Sequence, residues 1–327
     1  MKDSDFLFLA SMLRARETGM LKGDKINRML DAPGFDEAAK LLLDCGYPDM
    51  TEMNMAQIES VLNRHRSNIY YEISNFGYAR DLLDIFRIKY DYHNVKVLVK
   101  SMGANVDSSY LLSDSGRIDI EALNEAFITG QRTDLPPPVA AAMSAAVGIL
   151  SRTKNPQLAD IRIDKAWFGE LLLLANGLKN DFITGFVRLQ IDNSNLSTIV
   201  RSKRAGRSKD FLAGALIQGG SVDTDKLAAS YNENAIALFT DGALVNAARL
   251  GYGVMEGGAQ TLFELACDNA LLYYATNTVY ISFGPAPVIA YLAKLDWELT
   301  VIRMILTGKL TGISPDVIRE RLRDCRV

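Results

Sequence analysis

Hydrophobic residues recur along much of this chain with the spacing of an α-helix. In the clearest stretch, apolar residues follow the first one at three, four, eleven and fifteen positions, and a histidine follows it at seven. Such spacing forms one stripe along a helix of four turns or more. The stripe consists of Ile58, Val61, Leu62, His65, Ile69 and Ile73. Strand signals are scarce, and we predict that even Thr278–Ile281 is helical, because it continues a run rich in Leu, Tyr and Ala.

Residues 269–293 form an uncharged run of 25 residues, which on length alone could cross a bilayer. Polar side chains such as Asn269 and Asn277 are costly in hydrocarbon, and Phe283–Pro287 divides the run into two shorter pieces. The pattern therefore predicts two buried helices without a membrane span. Together with the other helical stretches, it predicts an all-α fold.

A ten-residue pattern recurs at long intervals. Asp91–Lys100 and Asp192–Arg201 lie 101 residues apart and share an acid, an Asn, an aliphatic pair and a terminal base. A weaker copy, Glu298–Thr307, lies 106 residues further on, with Val301 in place of the Asn. The repeat-motif residues are Asp91, Asn94, Asp192, Asn195, Glu298 and Arg303.

Each copy has the pattern of a helix start, with an acid near the N-terminal end, aliphatic residues on one face and a base near the far end. Helix formation alone does not explain why the pattern recurs, whereas three related helical subdomains do. We therefore predict subdomains at residues 1–104, 105–207 and 208–327. The helices that begin at Asp91, Asp192 and Glu298 should occupy equivalent positions.

Composition excludes several classes of protein. The chain has 36 Lys and Arg against 39 Asp and Glu, a net charge of −3, so it lacks the basic balance of a nucleic-acid coat protein. Its 3 cysteines are far apart and its 2 histidines have no metal-ligand spacing, which argues against a disulfide framework and a zinc site. Residues 1–5 lack a basic signal region, so we expect a protein of the reducing cytoplasm.

Motifs for catalysis are missing. The sequence contains no GxxxxGK[ST] loop and no GxSxG motif. Its nearest glycine-rich stretch, Gly251–Gly258, follows no predicted strand and is interpreted as a flexible connection between helices. We therefore predict no catalytic, cofactor-binding or metal-binding residues and no enzyme activity for the chain alone.

One basic cluster stands out in this acidic protein. Five bases lie within nine residues, namely Arg201, Lys203, Arg204, Arg207 and Lys209. Lys309 occupies the place in the third copy that Lys203 occupies in the second. The cluster is either a solvated helix end or a contact surface for an acidic partner or for anionic headgroups. A nucleic-acid site is disfavoured, because no aromatic residues are interleaved with the bases.

The sequence resembles the C subunit of the bacterial and archaeal V-type (A-type) rotary ATPases, a family that includes the d subunit of the eukaryotic V-ATPase. The resemblance extends over essentially the whole chain and rests on the order and spacing of several segments. These are Phe6–Ala15, Ala32–Ala39, Lys89–Lys96, the Leu135–Pro136 turn and Glu298–Gly312. Asp192–Asn195 departs from the family pattern because it lacks an aliphatic residue after the acid.

The resemblance implies a funnel of three similar helical subdomains around a pseudo-threefold axis. It implies a non-catalytic adapter, peripheral on the inner face of the cell membrane, that seats the central stalk of the D and F subunits on the proteolipid ring and transmits torque. The membrane stator is a further candidate partner. The residues alone leave an alternative open, an all-helical repeat scaffold that binds a partner helix in a central cavity.

Overall fold

The computed structural model describes residues 3–104, 106–278, 281 and 283–322. Within these ranges the chain forms helices and no strand, which confirms the predicted all-α fold. The α-helices are α1 (Leu7–Glu17), α2 (Gly23–Asp31), α3 (Phe35–Lys40), α4 (Met55–Ser74), α5 (Arg80–Ala104), α6 (Ile120–Thr129), α7 (Pro137–Thr153), α8 (Pro156–Gly177), α9 (Asp181–Arg204), α10 (Lys209–Ala215), α11 (Thr224–Ala229), α12 (Val245–Met255), α13 (Gln260–Thr276), α14 (Pro285–Leu310) and α15 (Pro315–Arg321).

Helix α4 contains the apolar stripe that the sequence predicts. It begins with a capping box, in which the Asn54 side chain accepts from the Gln57 backbone N–H and the Gln57 side chain accepts from the Asn54 backbone N–H. Ile58, Leu62 and Ile73 on the stripe are buried. The buried stripe, rather than helix propensity alone, holds α4 against the core.

The uncharged run folds as two helices with a break. Helix α13 ends at Thr276 and α14 begins at Pro285, after Gly284 adopts a positive φ of 95°. The helical prediction for Thr278–Ile281 is wrong, because Thr278 lies in a turn and Ile281 has no regular structure. Residues 279 and 280 lie outside the described part of the chain. The prolines and the positive φ of Gly284 interrupt the helical run, although its apolar residues would suit one continuous helix.

None of the helices in the described ranges has both the length and the hydrophobicity to cross a membrane.

The glycine-rich stretch is also different from its prediction. Helix α12 runs through Gly251 and Gly253, so most of the stretch is helical and the predicted flexible connection is wrong. A Cβ on Gly251 would come within 2.9 Å of the Val200 side chain and 3.0 Å of Phe263. Gly251 is therefore a close-packing position where α12 crosses its neighbours, and it is not a hinge.

Two hydrophobic cores organise the fold. The smaller core consists of residues from α9, α10, α11, α12 and α13, such as Leu196, Leu212 and Phe263. The larger core joins the helices of the N-terminal half to α14, so that Leu9 of α1 and Ile305 of α14 belong to one buried cluster. Helix α14 contacts α1, α3 and α4 directly. The last long helix thus packs against the beginning of the chain.

Candidate functional site

The three repeat copies lie on the long helices α5, α9 and α14, but not at their starts. Asp91, Asp192 and Glu298 are near the middle of these helices. Their exposed fractions are only 0%, 4% and 2%. The predicted role of these acids at helix starts is therefore wrong. A buried carboxylate requires hydrogen-bond donors, and in each case a distant loop supplies them.

In the first copy, the α5 residues hold the loop that precedes α6. The backbone N–H groups of Arg117 and Ile118 donate to Oδ1 of Asp91 at 2.7 and 3.1 Å. The Arg117 guanidinium donates to Oδ2 of Asp91 at 2.6 Å. Burial raises the pKa of Asp91, and its Arg117 partner opposes that shift. Asn94 makes two hydrogen bonds with the backbone of Ser113, at 2.8 and 2.9 Å.

In the second copy, α9 holds the loop before α11 in the same way. The Ser221 and Val222 backbone N–H groups donate to Oδ1 of Asp192 at 3.0 and 3.3 Å. Asn195 pairs with the backbone of Ile217 through two hydrogen bonds of 2.8 Å. Burial raises the pKa of Asp192, and the loop N–H groups oppose the shift. The motif is thus an Asp and an Asn, one turn apart, that clamp a downstream loop.

In the third copy, the loop comes from the other end of the chain. The Leu21 backbone N–H, 277 residues away in sequence, donates to Oε1 of Glu298 at 2.6 Å. Val301 stands where the other copies have Asn and has no amide to add. Burial raises the pKa of Glu298 to about 7, opposed by the Leu21 N–H and the nearby Tyr47 hydroxyl.

The three clamped loops share a pattern that the sequence-based prediction missed. Each has a glycine, a variable residue, an aliphatic residue and the residue that precedes a helix, and the N–H of the aliphatic residue binds the acid. The loops are Gly116–Asp119 before α6, Gly220–Asp223 before α11 and Gly19–Lys22 before α2. A Cβ would lie 2.5 Å from Oδ1 of Asp91 at Gly116, and 2.1 Å from Oδ1 of Asp192 at Gly220. Glycine lets these two loops approach the carboxylate.

A cavity of about 750 Å³ lies between the three long helices. Lys89 of α5, Gln190 of α9 and Asp296 of α14 all line it, and each stands two residues before the clamp acid of its helix. Three positions that are equivalent in the repeat therefore face one space. Helices α4, α8 and α13 and the segment 110–113 complete the wall.

Polarity changes along the cavity. Phe86 and Phe186 lie at one end, with ring centroids 6.0 Å apart and exposures of 5% each. Lys96 and Arg303, further along α5 and α14, keep side-chain exposures of 26% and 33%. We call the Phe86 and Phe186 end the floor and the Lys96 and Arg303 end the mouth. The mouth thus lies toward the C-terminal ends of α5 and α14.

Charged residues on the wall are paired within the chain. Asp296 pairs with Arg66 at 3.5 Å and also with Lys89. Both bases lie over the Tyr90 ring, at 4.8 and 4.9 Å from its centroid. Arg303, one of the repeat-motif residues, forms a two-armed pair with Glu59 of α4, in which its Nη2 donates at 2.9 Å. These pairs cross-link α4, α5 and α14 around the cavity.

The basic cluster is engaged in contacts but remains at the surface. Arg201 pairs with Glu264 at 3.1 Å, and Arg204 donates to Gln260 at 3.0 Å. Lys203 lies 4.3 Å from the ring centroid of Tyr231. Arg207 donates to Gln157 at 3.1 Å, and exposed Lys209 is the first residue of α10.

Lys309 is placed differently from the cluster. Its ammonium donates to the backbone carbonyl of Leu30 at 2.6 Å and to that of Ala32, at the C-terminal end of α2. This contact satisfies carbonyls that the helix leaves free. None of the six predicted contact residues lines the cavity. Within the described ranges, no group of three or more His, Cys, Asp or Glu side chains could hold a metal ion.

Comparison with known proteins places the chain in a family. The model of the ATP synthase (C/AC39) subunit family matches residues 9–321. The chain belongs to this family. It is 24% identical to the C subunit of the V-type sodium ATPase of Enterococcus hirae, over 96% of the chain and 97% of that protein. It is 23% identical to the C subunit of the A-type ATP synthase of Methanocaldococcus jannaschii, over 97% and 86%. The equivalent A-type protein of Halorubrum lacusprofundi is 27% identical, over 96% of each chain.

Membership of the C/AC39 family confirms the resemblance drawn from the sequence. The match at residues 9–321 contains all three clamp acids, the loops that they bind and every residue that lines the cavity. The candidate site is therefore part of the region that this chain shares with the family.

Proposed function

We propose that this chain is a non-catalytic adapter of a rotary V/A-type ATPase, which seats the D and F stalk on the proteolipid ring and transmits torque. The observation that carries the proposal is the cavity lined by equivalent positions of three long helices. Membership of the C/AC39 family supports it. In this proposal the chain acts on the cytoplasmic side, peripheral to the inner face of the membrane.

The size of the cavity suits a helix end. A helix is about 10 Å wide, so a space of this volume holds about 10 Å of its length, which is less than two turns. The apolar floor at Phe86 and Phe186 would take the tip of such a helix, and the polar mouth would take its flank. We therefore assign the mouth to the stalk.

The loop clamps support a role in torque transmission. An adapter must hold its shape while one partner turns it, which requires that loops be tied to long helices. The clamps at Asp91, Asp192 and Glu298 tie three loops to the helices around the cavity. Buried hydrogen bonds of this kind rigidify a fold.

We propose a revised division of the chain into three units. The third unit consists of α14 together with the N-terminal segment that contains Leu21 and α2, because this segment supplies the loop that Glu298 binds. By the same rule, α5 belongs with the loop before α6 and α9 with the loop before α11, so these units replace the boundaries predicted at residues 104 and 207. In the revised division the units close into a ring, and the two ends of the chain belong to one unit.

Phe186, near the start of α9, lies at the floor, so the basic cluster at the end of α9 lies toward the mouth. We propose that it contacts the stalk, through exposed bases that tune association with an acidic surface. Lys309 is occupied as a helix cap, so we assign it a structural role in α2.

Affinity purification from native membranes tests the proposal. Tagged chain should recover the other proteins of the ATPase, including the stalk. Gln190→Phe, which narrows the cavity and removes a polar group from its wall, should weaken recovery of the stalk proteins while the fold is kept. Gln131→Phe, at an exposed glutamine away from the cavity, is the matched control. Recovery of a soluble helical partner without any other ATPase protein would favour the scaffold alternative.

A further inference from the structure

The third clamp holds its loop with fewer donors than the other two. Asp91 accepts from two loop N–H groups and from a guanidinium, and Asp192 accepts from two loop N–H groups. An Asn that pairs with the loop backbone completes both of these clamps. Within the described structure Glu298 accepts from one loop N–H, that of Leu21, and Val301 replaces the Asn. A charged carboxylate therefore has the least support in the third clamp.

The charged groups around Glu298 are paired with one another. Glu298 is 2% exposed and forms no ion pair with any residue of the described ranges. The bases of the surrounding helices are engaged elsewhere, namely Arg16 with Glu72, Lys25 with Asp44 at 3.6 Å, Arg66 with Asp296 at 3.5 Å and Lys294 with Glu17 at 3.3 Å. Ionised Glu298 is thus a buried charge without a counterion, and either a proton or exposure to water relieves it.

In the closed clamp, burial favours the proton. Burial raises the pKa of Glu298 from 4.5 to about 7, although the Leu21 N–H and the nearby Tyr47 hydroxyl oppose the shift. The protonated acid keeps a carbonyl oxygen that can accept the Leu21 N–H. Both neighbouring tyrosines stay neutral, because burial raises the pKa of Tyr47 and raises that of Tyr291 to about 12.

The clamp joins the two ends of the chain. Its loop, Gly19–Lys22, connects α1 to α2, and Lys309 holds the far end of α2. We propose that the third clamp opens and closes with protonation, so that α14 holds this loop while Glu298 is a carboxylic acid and releases it when Glu298 is a carboxylate. Release exposes Glu298 to water while the far end of α2 stays attached. The inference concerns the chain by itself and does not rest on the proposed function.

The equilibrium between the closed and open clamp then depends on pH. The open form has the ordinary carboxyl pKa of 4.5, and the closed form has a pKa of about 7. The opening constant should therefore be lowest below pH 4.5 and rise by up to about tenfold per pH unit. It should become constant above pH 7, after an increase of about 300-fold in all.

His65 of α4 titrates near the same range with the opposite sign. Its ring stacks on Tyr47 with centroids 4.4 Å apart, and burial lowers the pKa of His65, with a smaller effect of Arg66. A lowered histidine pKa favours the open form as the pH falls. A variant that changes only the ionisation of Glu298 separates the two contributions.

Hydrogen exchange at the Leu21 amide, corrected for the intrinsic effect of pH, measures the opening constant. The ratio of this constant in the parent to that in Glu298→Gln should rise about 70-fold between pH 5 and 8, since part of the change lies below pH 5. Asp192→Asn, the same change in the second clamp, is the matched control and should keep the full dependence at Leu21. Circular dichroism establishes that each variant is folded.

A ratio that stays constant from pH 5 to 8 would overturn the inference. The buried amide of Leu171 in α8 is the internal reference for unfolding of the whole chain. The opening constant at Leu21 should exceed that at Leu171, because a local release needs less free energy than unfolding. Equal constants would show that the clamp opens only when the chain unfolds, and would also overturn the inference.

A measurement on the parent alone decides the matter if Glu298→Gln does not fold. Carbon NMR of the Glu298 carboxyl should give a midpoint near pH 7, with the Leu21 opening constant becoming level at the same pH. A midpoint near 4.5 would overturn the inference.

Discussion

Replacing Asn195 with Ala should lower the free energy of unfolding by several kcal/mol, although it removes only one amide group. The substitution removes two hydrogen bonds of 2.8 Å to the backbone of Ile217. Asn195 is 0% exposed and Ile217 is 5% exposed, so water does not readily replace the lost partner. The Ile217 N–H and carbonyl are then buried without partners.

The magnitude follows from those two groups. Each lost hydrogen bond contributes about 1 kcal/mol net, and a buried polar group left without a partner costs about 1–3 kcal/mol. Because these two figures partly describe the same effect, they are not summed in full. Together they give a loss of about 2–4 kcal/mol in the free energy of unfolding. Asn94→Ala should show a similar loss, because Asn94 makes the same pair of bonds with Ser113.

Urea unfolding and hydrogen exchange provide the measurements. The exchange of the Ile217 amide should accelerate by about 30- to 1000-fold, as a local opening of that free energy predicts. Asn193→Ala is the control, since it lies in the same helix and its amide oxygen makes no hydrogen bond within the described structure. It should shift stability by no more than about 0.5 kcal/mol. Equal effects of Asn195→Ala and Asn193→Ala would refute the clamp reasoning.

Three further predictions concern the third clamp, the loop glycines and the basic cluster. The pKa of Glu298 is about 7 in the folded chain and 4.5 as an ordinary carboxyl. Its protonated form therefore stabilises the fold fully below pH 4.5, and this contribution is lost as the pH rises through about 7. Glu298→Gln should remove this dependence, so its unfolding free energy relative to the parent should rise between pH 5 and 8 by up to about 3 kcal/mol. A constant difference across that range contradicts the assignment. Gly220→Ala should destabilise by about 1–3 kcal/mol through its clash with the clamp, whereas Gly169→Ala, in α8 with open space around it, should stabilise slightly in the same thermal melts. Reversing three bases of the cluster should weaken assembly with the stalk more at low than at high salt, and equal assembly at every ionic strength would show that the cluster is a solvated surface. The three reversals are Arg204→Glu, Arg207→Glu and Lys209→Glu.

Local sequence patterns predicted much of the secondary structure. The stripe from Ile58 to Ile73 is a real helix face, because a period of 3.6 residues reports which side of a helix is buried. The same reasoning failed at Thr278–Ile281 and at Gly251–Gly258. There the deciding factors were a left-handed Gly284 and a close contact of Gly251 with Val200, and neither is visible in composition.

The repeat shows most clearly where the sequence stops being sufficient. The recurrence of Asp91 with Asn94 and of Asp192 with Asn195 identified residues that matter, but their predicted role at helix starts was wrong. An acid beside aliphatic residues has the same local pattern at a helix start and in a buried clamp. The difference lies in the donors, which are backbone N–H groups of loops 26 to 30 residues away.

By itself, the sequence determined the helical class, the recurring acids and the family. Periodicity, motif order and spacing depend only on the order of residues along the chain. Tertiary structure alone decided that Leu21 completes the third clamp with Glu298 across 277 residues. It also decided that Lys89, Gln190 and Asp296 face one cavity. Contacts between distant segments depend on how helices pack, and packing leaves no period in the sequence that could reveal which loop a buried carboxylate will bind.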